Sequence, residues 1–181
     1  MTRKRSGRRP KVVLILGGAR SGKSGFALRL AQELGQKVLF VATAEPLDEE
    51  MRERIEEHRK RRPESWRTLE APLEVGRRIS QELKDEEVVL IDCLTLLLSN
   101  LMGEGGKLQE RAEAELEGLL RCMEEARASF ILVSNEVGMG IVPEHKSGRL
   151  FRDLQGRANQ LLADRADEVY FMVAGLPLRL K

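Results

Sequence analysis

Short runs of apolar residues alternate along the chain with longer segments in which apolar residues recur at every third or fourth position. The runs are typical of strands buried on both faces of a parallel sheet, and the longer segments are typical of amphipathic helices. The predicted strands cover 11–16, 37–42, 66–70, 87–92, 129–134, 168–173 and 176–180, and the predicted helices cover 23–34, 48–62, 72–83, 94–101, 108–126 and 147–166. This alternation predicts one α/β domain over residues 11–181, with a mainly parallel sheet flanked by helices.

Composition is that of a soluble globular domain, because the 181 residues are 41% hydrophobic and 33% charged. The apolar runs are much shorter than the roughly 20 residues of a membrane span, and we expect neither a span nor a secretory signal. Cys93 and Cys122 lack metal-ligand spacing, so we expect free thiols in a cytoplasmic protein. The glycine-rich break at 103–106 is the candidate for a mobile loop.

Charge is distributed unevenly along the chain. Residues 1–11 carry six basic side chains and no acid, while the whole chain has 31 basic and 29 acidic residues, so the remainder is mildly acidic. An acidic body and an aromatic content of 4% argue against a large nucleic-acid footprint. We expect residues 1–10 to form a disordered, solvated tail and expect no nucleic-acid partner. A nucleic-acid-dependent ATPase that uses this tail is the less favoured alternative.

The segment Gly17-Gly18-Ala19-Arg20-Ser21-Gly22-Lys23-Ser24 lies between the first predicted strand and the first predicted helix. Its spacing of glycine, four residues, glycine, lysine and serine is that of a phosphate-binding loop. The backbone N–H groups of such a loop, together with the N-terminus of the next helix, attract nucleotide phosphates. We expect Lys23 to contact the β- and γ-phosphates and Ser24 to ligate Mg²⁺. The alternative is a glycine-rich turn that binds nothing.

Three other segments follow predicted strands at their carboxyl ends, where ligands bind in open α/β sheets. Thr43, within Ala42-Thr43-Ala44, is a candidate site residue after the second strand. Asp92 follows four hydrophobic residues, which is the usual form of the second NTPase motif, whose carboxylate holds Mg²⁺ through water. Asn135 and Glu136, with the glycines after them, are further candidates.

His58 shares one side of its predicted helix with Met51 and Ile55, at the spacing i, i+4, i+7. This spacing alone favours a histidine packed in the core over a catalytic one. The basic run Arg59-Lys60-Arg61-Arg62 follows directly. It is either a solvated helix end that complements the helix dipole or a phosphate clamp beside His58.

Several segments occur in the same order in one known family. They are Gly17–Ser24, Val41–Ala44, Asp48–His58, Arg62-Pro63, Trp66–Glu70, Ser134–Pro143, Phe151–Asp153 and Gly156–Gln160. With these segments the chain, over about residues 11–181, resembles the bifunctional adenosylcobinamide kinase / adenosylcobinamide-phosphate guanylyltransferase family of the cobalamin pathway. The Asn-Glu-Val-Gly-Met-Gly segment at 135–140 and the Arg-Ile-x-x-His segment at 54–58 are more specific than the phosphate-binding loop. The basic tail departs from the family pattern.

The resemblance implies a RecA-like P-loop NTPase fold, related to the strand-exchange ATPases, and assembly as a homotrimer. It implies two reactions: transfer of the γ-phosphate of ATP or GTP to the aminopropanol hydroxyl of adenosylcobinamide, then transfer of GMP from GTP to adenosylcobinamide phosphate. The family's GMP-histidine intermediate falls on His58, which reverses the interpretation from spacing alone.

The resemblance also places guanine or ribose contacts and metal support at Glu70 and Asp92. Asn135, Glu136 and the glycines after them are candidates for the corrinoid side. Lys23 and the basic run 59–62 supply cations for the phosphates. A monofunctional small-molecule P-loop kinase, in which His58 is structural, remains the main alternative.

Overall fold

A computed structural model describes residues 9–103 and 107–181. Within these ranges the chain forms seven strands and six helices. The strands are β1 Val12–Gly17, β2 Val38–Ala42, β3 Arg67–Glu70, β4 Val88–Asp92, β5 Ser129–Val133, β6 Glu168–Val173 and β7 Leu176–Arg179. The helices are α1 Lys23–Leu34, α2 Glu49–Lys60, α3 Val75–Glu82, α4 Leu94–Gly103, α5 Leu108–Glu125 and α6 Lys146–Arg165.

All strands belong to one sheet in the order β3-β2-β4-β5-β1-β6-β7. Every neighbouring pair is parallel except the β6–β7 hairpin. The α/β fold with a mainly parallel sheet is therefore confirmed. The carboxyl ends of the parallel strands all lie along one edge of the sheet, so the loops after β1, β2, β4 and β5 lie together there. This carboxyl-end edge holds the candidate site.

Helices cover both faces of the sheet. On one face, α1 packs through Ala27 and Ala31 against residues such as Ile15 and Phe40. On the other face, the larger cluster joins the sheet to α3, α4, α5 and α6. The central strands β2, β4 and β5 are buried almost throughout, which explains why they are uninterrupted apolar runs.

Three predicted helix boundaries were wrong, and one of them is the end of α4, which lies at Gly103 rather than residue 101. Helix α3 begins at Val75 rather than residue 72, because the Glu115 carboxylate of α5 accepts hydrogen bonds from the backbone N–H groups of Glu74 (2.9 Å) and Val75 (2.7 Å). Helix α2 ends at Lys60 rather than residue 62, and Arg61 forms its C-cap. A tertiary contact decides the start of α3, and local sequence does not contain it.

Two predicted mobile segments lie mostly outside the described residues. Of the tail at 1–10, the structure describes only Arg9 and Pro10. Of the break at 103–106, it describes only Gly103, the last residue of α4. The disorder of the tail and the mobility of the break therefore remain predictions.

Candidate active site

The glycine-rich segment forms a tight turn between β1 and α1. Gly17 has a φ of 152° and Gly22 a φ of 95°, values that favour glycine. A Cβ atom at Gly17 would lie 2.7 Å from both the Met172 carbonyl oxygen and Ser21 Oγ. The loop therefore needs glycine here for space as well as for conformation.

Lys23 is held inside this turn. The residue is only 8% exposed, and its Nζ donates a hydrogen bond of 2.6 Å to the Gly18 carbonyl. Burial lowers the pKa of Lys23, while the nearby Cys93 and Asp92 side chains act in the opposite direction. The structure thus places the ammonium group on the loop and within electrostatic range of the Asp92 carboxylate.

The β6–β7 hairpin supports the loop from the side. The Gly175 N–H donates to the Ser21 carbonyl at 3.0 Å, and the position of a Cβ at Gly22 would lie 3.0 Å from Gly175 Cα. Ser21 Oγ is buried and has no hydrogen-bond partner in the part of the chain that the structure describes. A buried hydroxyl without a partner, beside a loop of backbone N–H groups, is suited to binding an oxygen atom of a ligand.

Thr43 is buried and ties the ends of β2 and β4 together. Its Oγ1 donates to the Cys93 carbonyl (2.7 Å) and accepts from the Cys93 N–H (2.9 Å), while its carbonyl accepts from Asn100 Nδ2 (2.8 Å). Ala42 and Ala44 are half-buried on either side. Burial, then the charge of Asp92, raises the pKa of Cys93 to about 11, so this thiol is protonated at neutral pH.

Helix α2 carries His58 along the outside of this edge. Its N-terminus is capped by Asp48, whose Oδ1 accepts from the Met51 N–H at 2.7 Å. No residue of α2 is fully buried, and Met51, Ile55 and His58 are its half-buried residues. The prediction that these three residues lie on one side of α2 is therefore confirmed. The interpretation of His58 as a core histidine, which spacing alone favoured, is wrong.

The imidazole of His58 lies against the end of β4. Its Nδ1 is 3.6 Å from Asp92 Oδ2, which is too long for a hydrogen bond but close enough for an electrostatic contact. The His58 side chain is 42% exposed, whereas that of Asp92 is 12% exposed. The ring is thus accessible, and Asp92 lies close to both His58 and Lys23.

The basic run after His58 does not act as one unit. Arg59, Lys60 and Arg61 are exposed, while Arg62 turns inward and stacks on Phe40, with its guanidinium carbon 3.5 Å from the ring centroid. Burial lowers the pKa of Arg62, and Asp92 acts in the opposite direction. The stacking attaches the end of α2 to the sheet.

Glu70 lies in the same row of the sheet as Asp92. Strand register pairs Ala42 with Glu70 on one side and with Asp92 on the other. Glu70 is exposed at the end of β3, on the outer strand of the sheet. The structure therefore brings Lys23, His58, Arg62, Glu70 and Asp92 to one edge, as the sequence interpretation required.

A buried polar cluster fixes the loop after β5. Ser134 Oγ accepts from Gln155 Nε2 (2.8 Å) and donates to Asn159 Oδ1 (2.7 Å), and Asn159 Nδ2 donates to the Asn135 carbonyl (3.0 Å). Sequence reasoning missed this role for Gln155 and Asn159. Their four-residue spacing beside the apolar positions of α6 indicates that the two amides share its buried side, but it does not indicate their partner Ser134.

Two classes of feature are not found in the described residues. Within 9–103 and 107–181, no three His, Cys, Asp or Glu side chains converge as a metal site. A Mg²⁺ ion held mainly by phosphate oxygens and water, with one hydroxyl and one carboxylate, does not need such a cluster. No helix of the same residues is long and apolar enough to cross a membrane.

The turn between β1 and α1, with its enclosed lysine, defines a P-loop nucleotide-binding protein. The chain is similar to a solved structure of the RadB recombinase, with a TM-score of 0.52 and 19% identity over 91% of this chain and 76% of that one. This similarity confirms the RecA-like fold.

The family model described as cobinamide kinase / cobinamide phosphate guanyltransferase matches residues 13–180, and the chain belongs to this family. It is 48% identical over 168 residues to the bifunctional adenosylcobalamin biosynthesis protein CobP of Pseudomonas aeruginosa, covering 93% of this chain and 96% of that protein. It is 41% identical over 181 residues to the bifunctional protein CobU of Escherichia coli K12, covering 94% and 99%. The family resemblance is therefore confirmed.

Proposed function

We propose that this protein phosphorylates adenosylcobinamide and then transfers GMP from GTP to adenosylcobinamide phosphate, with His58 as the nucleophile. Membership in the cobinamide kinase / guanyltransferase family supports the pair of reactions. The observation that best supports this role for His58 is the position of its side chain. The imidazole is partly exposed and lies against Asp92, the carboxylate that also interacts with Lys23 of the phosphate loop.

A histidine in this position suits two-step transfer of GMP. Nδ1 faces Asp92, which leaves Nε2 as the atom that attacks the α-phosphorus of GTP. A P–N bond forms, the bond to pyrophosphate breaks, and the imidazole carries GMP. An oxygen of adenosylcobinamide phosphate then attacks the same phosphorus, and the imidazole leaves. Asp92 stabilises the positive charge that develops on the ring.

Lys23 and Ser24 serve the nucleotide in both reactions. Lys23 contacts the phosphates, and we assign Mg²⁺ to the Ser24 hydroxyl and, through water, to Asp92. When bound, Mg²⁺ neutralises charge on the phosphate oxygens. The unpaired, buried Ser21 Oγ supports an oxygen-bearing ligand at this loop.

Glu70 and the basic run serve recognition. The exposed Glu70 carboxylate can accept from guanine N1–H and N2–H₂ together, which favours GTP over ATP for the transfer. Arg59, Lys60 and Arg61 are exposed beside His58 and supply positive charge for the pyrophosphate. Arg62 adds to this charge while it holds the end of the helix on Phe40.

Labelling with [α-³²P]GTP tests the intermediate. We expect a protein-bound label that is acid-labile and base-stable, as a phosphoramidate is. His58→Ala is expected to abolish this label and GMP transfer while retaining phosphorylation of adenosylcobinamide. His145→Ala is the matched control, because His145 is the other histidine of the chain and lies exposed at the start of α6.

Two outcomes would contradict this assignment. No label in the unaltered protein, with kinase activity present, favours the monofunctional kinase. A label that survives in His58→Ala places the nucleophile elsewhere.

Assembly and location are part of the same proposal. We propose a homotrimer, which sedimentation of the purified protein at several concentrations tests. We also propose a cytoplasmic location, supported by the unpaired thiols of Cys93 and Cys122.

A further inference from the structure

An exposed apolar segment continues directly from residues that touch the phosphate loop. The Glu136 N–H donates to the Gly17 carbonyl at 3.0 Å. A few residues later Met139 is 80% exposed, Ile141 is 97% exposed and Val142 is 59% exposed. We call these three residues the apolar loop. Three large, exposed apolar side chains within four residues are typical of a surface that binds a partner or ligand.

Beside the apolar loop lies an open depression on α6. Its volume is about 320 Å³, and it is lined by Gly138, Arg152, Asp153, Gly156, Arg157 and Gln160. The helical residues of this lining recur at three- and four-residue spacing, so they share one side of α6. We call this lining the α6 depression. It offers hydrogen-bond donors and acceptors next to the apolar loop.

Gly156 is not explained by the packing of the described residues. It lies in the interior of a 20-residue helix, and a Cβ atom there would have no heavy atom within 4 Å. Glycine in a helix interior costs about 1 kcal/mol relative to alanine. A glycine at such a cost, in the lining of a depression, suits close approach of a ligand to the helix.

The buried side of α6 fixes both surfaces relative to the phosphate loop. Gln155 and Asn159 bond to Ser134 and to the Asn135 carbonyl, directly before Glu136. The α6 depression and the start of the segment that carries the apolar loop are therefore held in place beside the phosphate loop.

We propose that the apolar loop and the α6 depression bind the corrin macrocycle of adenosylcobinamide, so that its aminopropanol hydroxyl lies at the phosphate loop. This inference rests on the proposed function. The corrin ring is rimmed by methyl groups and by acetamide and propionamide side chains. Methyl groups pack on Met139 and Ile141, amide carbonyls accept from Arg157, and amide NH₂ groups donate to Asp153.

The position of the surface supports this occupant over others. A substrate hydroxyl must lie in line with the γ-phosphate, so the rest of the substrate has to lie on surface next to the phosphate loop. The segment that leads into the apolar loop is joined to the end of β1 by the Glu136–Gly17 bond, three residues before Met139. The combination of methyl-binding and amide-binding groups on this surface matches a large, amide-rich ring.

The first test removes the apolar contacts. In Met139→Ser/Ile141→Ser, we expect the KM for adenosylcobinamide in the kinase reaction to rise roughly tenfold at saturating nucleotide, since two apolar contacts are lost. The matched control is Leu178→Ser/Leu180→Ser, which removes two exposed apolar side chains, 57% and 60% exposed, at the C-terminal hairpin. This control should leave the KM unchanged.

The second test separates binding from folding. Gly156→Ala should retain or raise the thermal stability, because alanine favours the helix, and should still raise the KM for adenosylcobinamide several-fold. Gly118→Ala is the control, because Gly118 is also a helical glycine whose Cβ would meet no atom within 4 Å, but it lies on α5 against α3.

The outcomes distinguish this inference from the proposed function. His58 labelling by GTP needs no corrinoid, so a labelled protein whose KM is unchanged in both variants overturns the corrinoid surface alone. An unlabelled protein overturns the guanylyltransferase assignment, whatever the KM. If Met139→Ser/Ile141→Ser instead lowers the sedimentation mass, the apolar loop is a contact between copies of the chain and the proposal is overturned.

Discussion

Helices α1 and α2 are each 12 residues long and each follows a strand at the same edge of the sheet, but they are attached to it differently. Helix α1 buries Lys23, Ala27 and Ala31. Helix α2 buries no residue completely and is tied down mainly at its end, where Arg62 stacks on Phe40.

This difference matches what each helix has to do. In the proposed function the phosphate loop and α1 hold the nucleotide and must stay in place, which favours buried small residues. The proposed nucleophile must approach the α-phosphorus and later present GMP to a second substrate. Elements that move are drawn from the weakly packed parts of a fold. The contrast teaches that a fixed loop and a loosely attached helix meet at the proposed site, and five predictions test it.

Removing the buried lysine should have the largest effect. In Lys23→Ala, we expect both the kinase reaction and GMP labelling to fall roughly 10²–10³-fold, since the phosphates lose a positioned charge. His58→Ala is the comparison, because it should affect only GMP transfer. A kinase rate that survives in Lys23→Ala would contradict the fixed cradle.

Lys23→Ala should also change the way in which the free energy of unfolding depends on pH. Burial lowers the pKa of Lys23 in the folded state, so the unfolded chain binds more protons above that pKa. The free energy of unfolding of the nucleotide-free protein should therefore increase as pH rises from the lowered pKa of Lys23 towards its ordinary value of 10.5. Lys23→Ala should lose this increase, and urea unfolding at several pH values measures it.

Hydrogen exchange compares the two helices directly. We expect the backbone amides of α2 to exchange roughly a hundredfold faster than those of α1, because local opening of α2 exposes little buried surface. GTP should slow exchange in α2 if the helix closes on the nucleotide. Equal protection in both helices without nucleotide would show that α2 is as firmly held as α1.

Loss of the stacking of Arg62 on Phe40 should have the next largest effect. We expect Arg62→Ala to slow GMP labelling about tenfold, because the end of α2 loses its attachment. Phe40→Leu keeps most of the apolar volume and leaves the arginine charge in place, so it isolates the stacking. If Arg62→Ala slows labelling but Phe40→Leu does not, the arginine acts through its charge and not through position.

Substitutions that change the packing of the two helices should have the smallest effects. Ile55→Ala in α2 should cost less than about 1 kcal/mol of unfolding free energy, because Ile55 is only half-buried. Ala31→Leu in α1 should cost about 1–3 kcal/mol, because Ala31 is fully enclosed. Urea unfolding measures both. A cost for Ile55→Ala as large as that of a core isoleucine, about 2–5 kcal/mol, would contradict the loose packing of α2.

The sequence by itself determined the order of strands and helices, because each buried strand is an uninterrupted apolar run and each helix has its own periodicity. It also determined the phosphate loop, since the required glycines and lysine are adjacent in the chain. The predicted strand 37–42, for example, differs from β2 only in its first residue.

Tertiary structure decided whatever depends on partners distant in the chain. Spacing alone could not tell a core histidine from an exposed one, because the exposure of His58 depends on how closely α2 packs on the sheet. It could not separate Arg62 from its three neighbours, because only Arg62 meets the ring of Phe40. Nor could it show that Gln155 and Asn159 reach Ser134, or that Glu115 starts α3. Periodicity reports which side of an element is apolar, but the depth of that side in the fold is set by the elements that cover it.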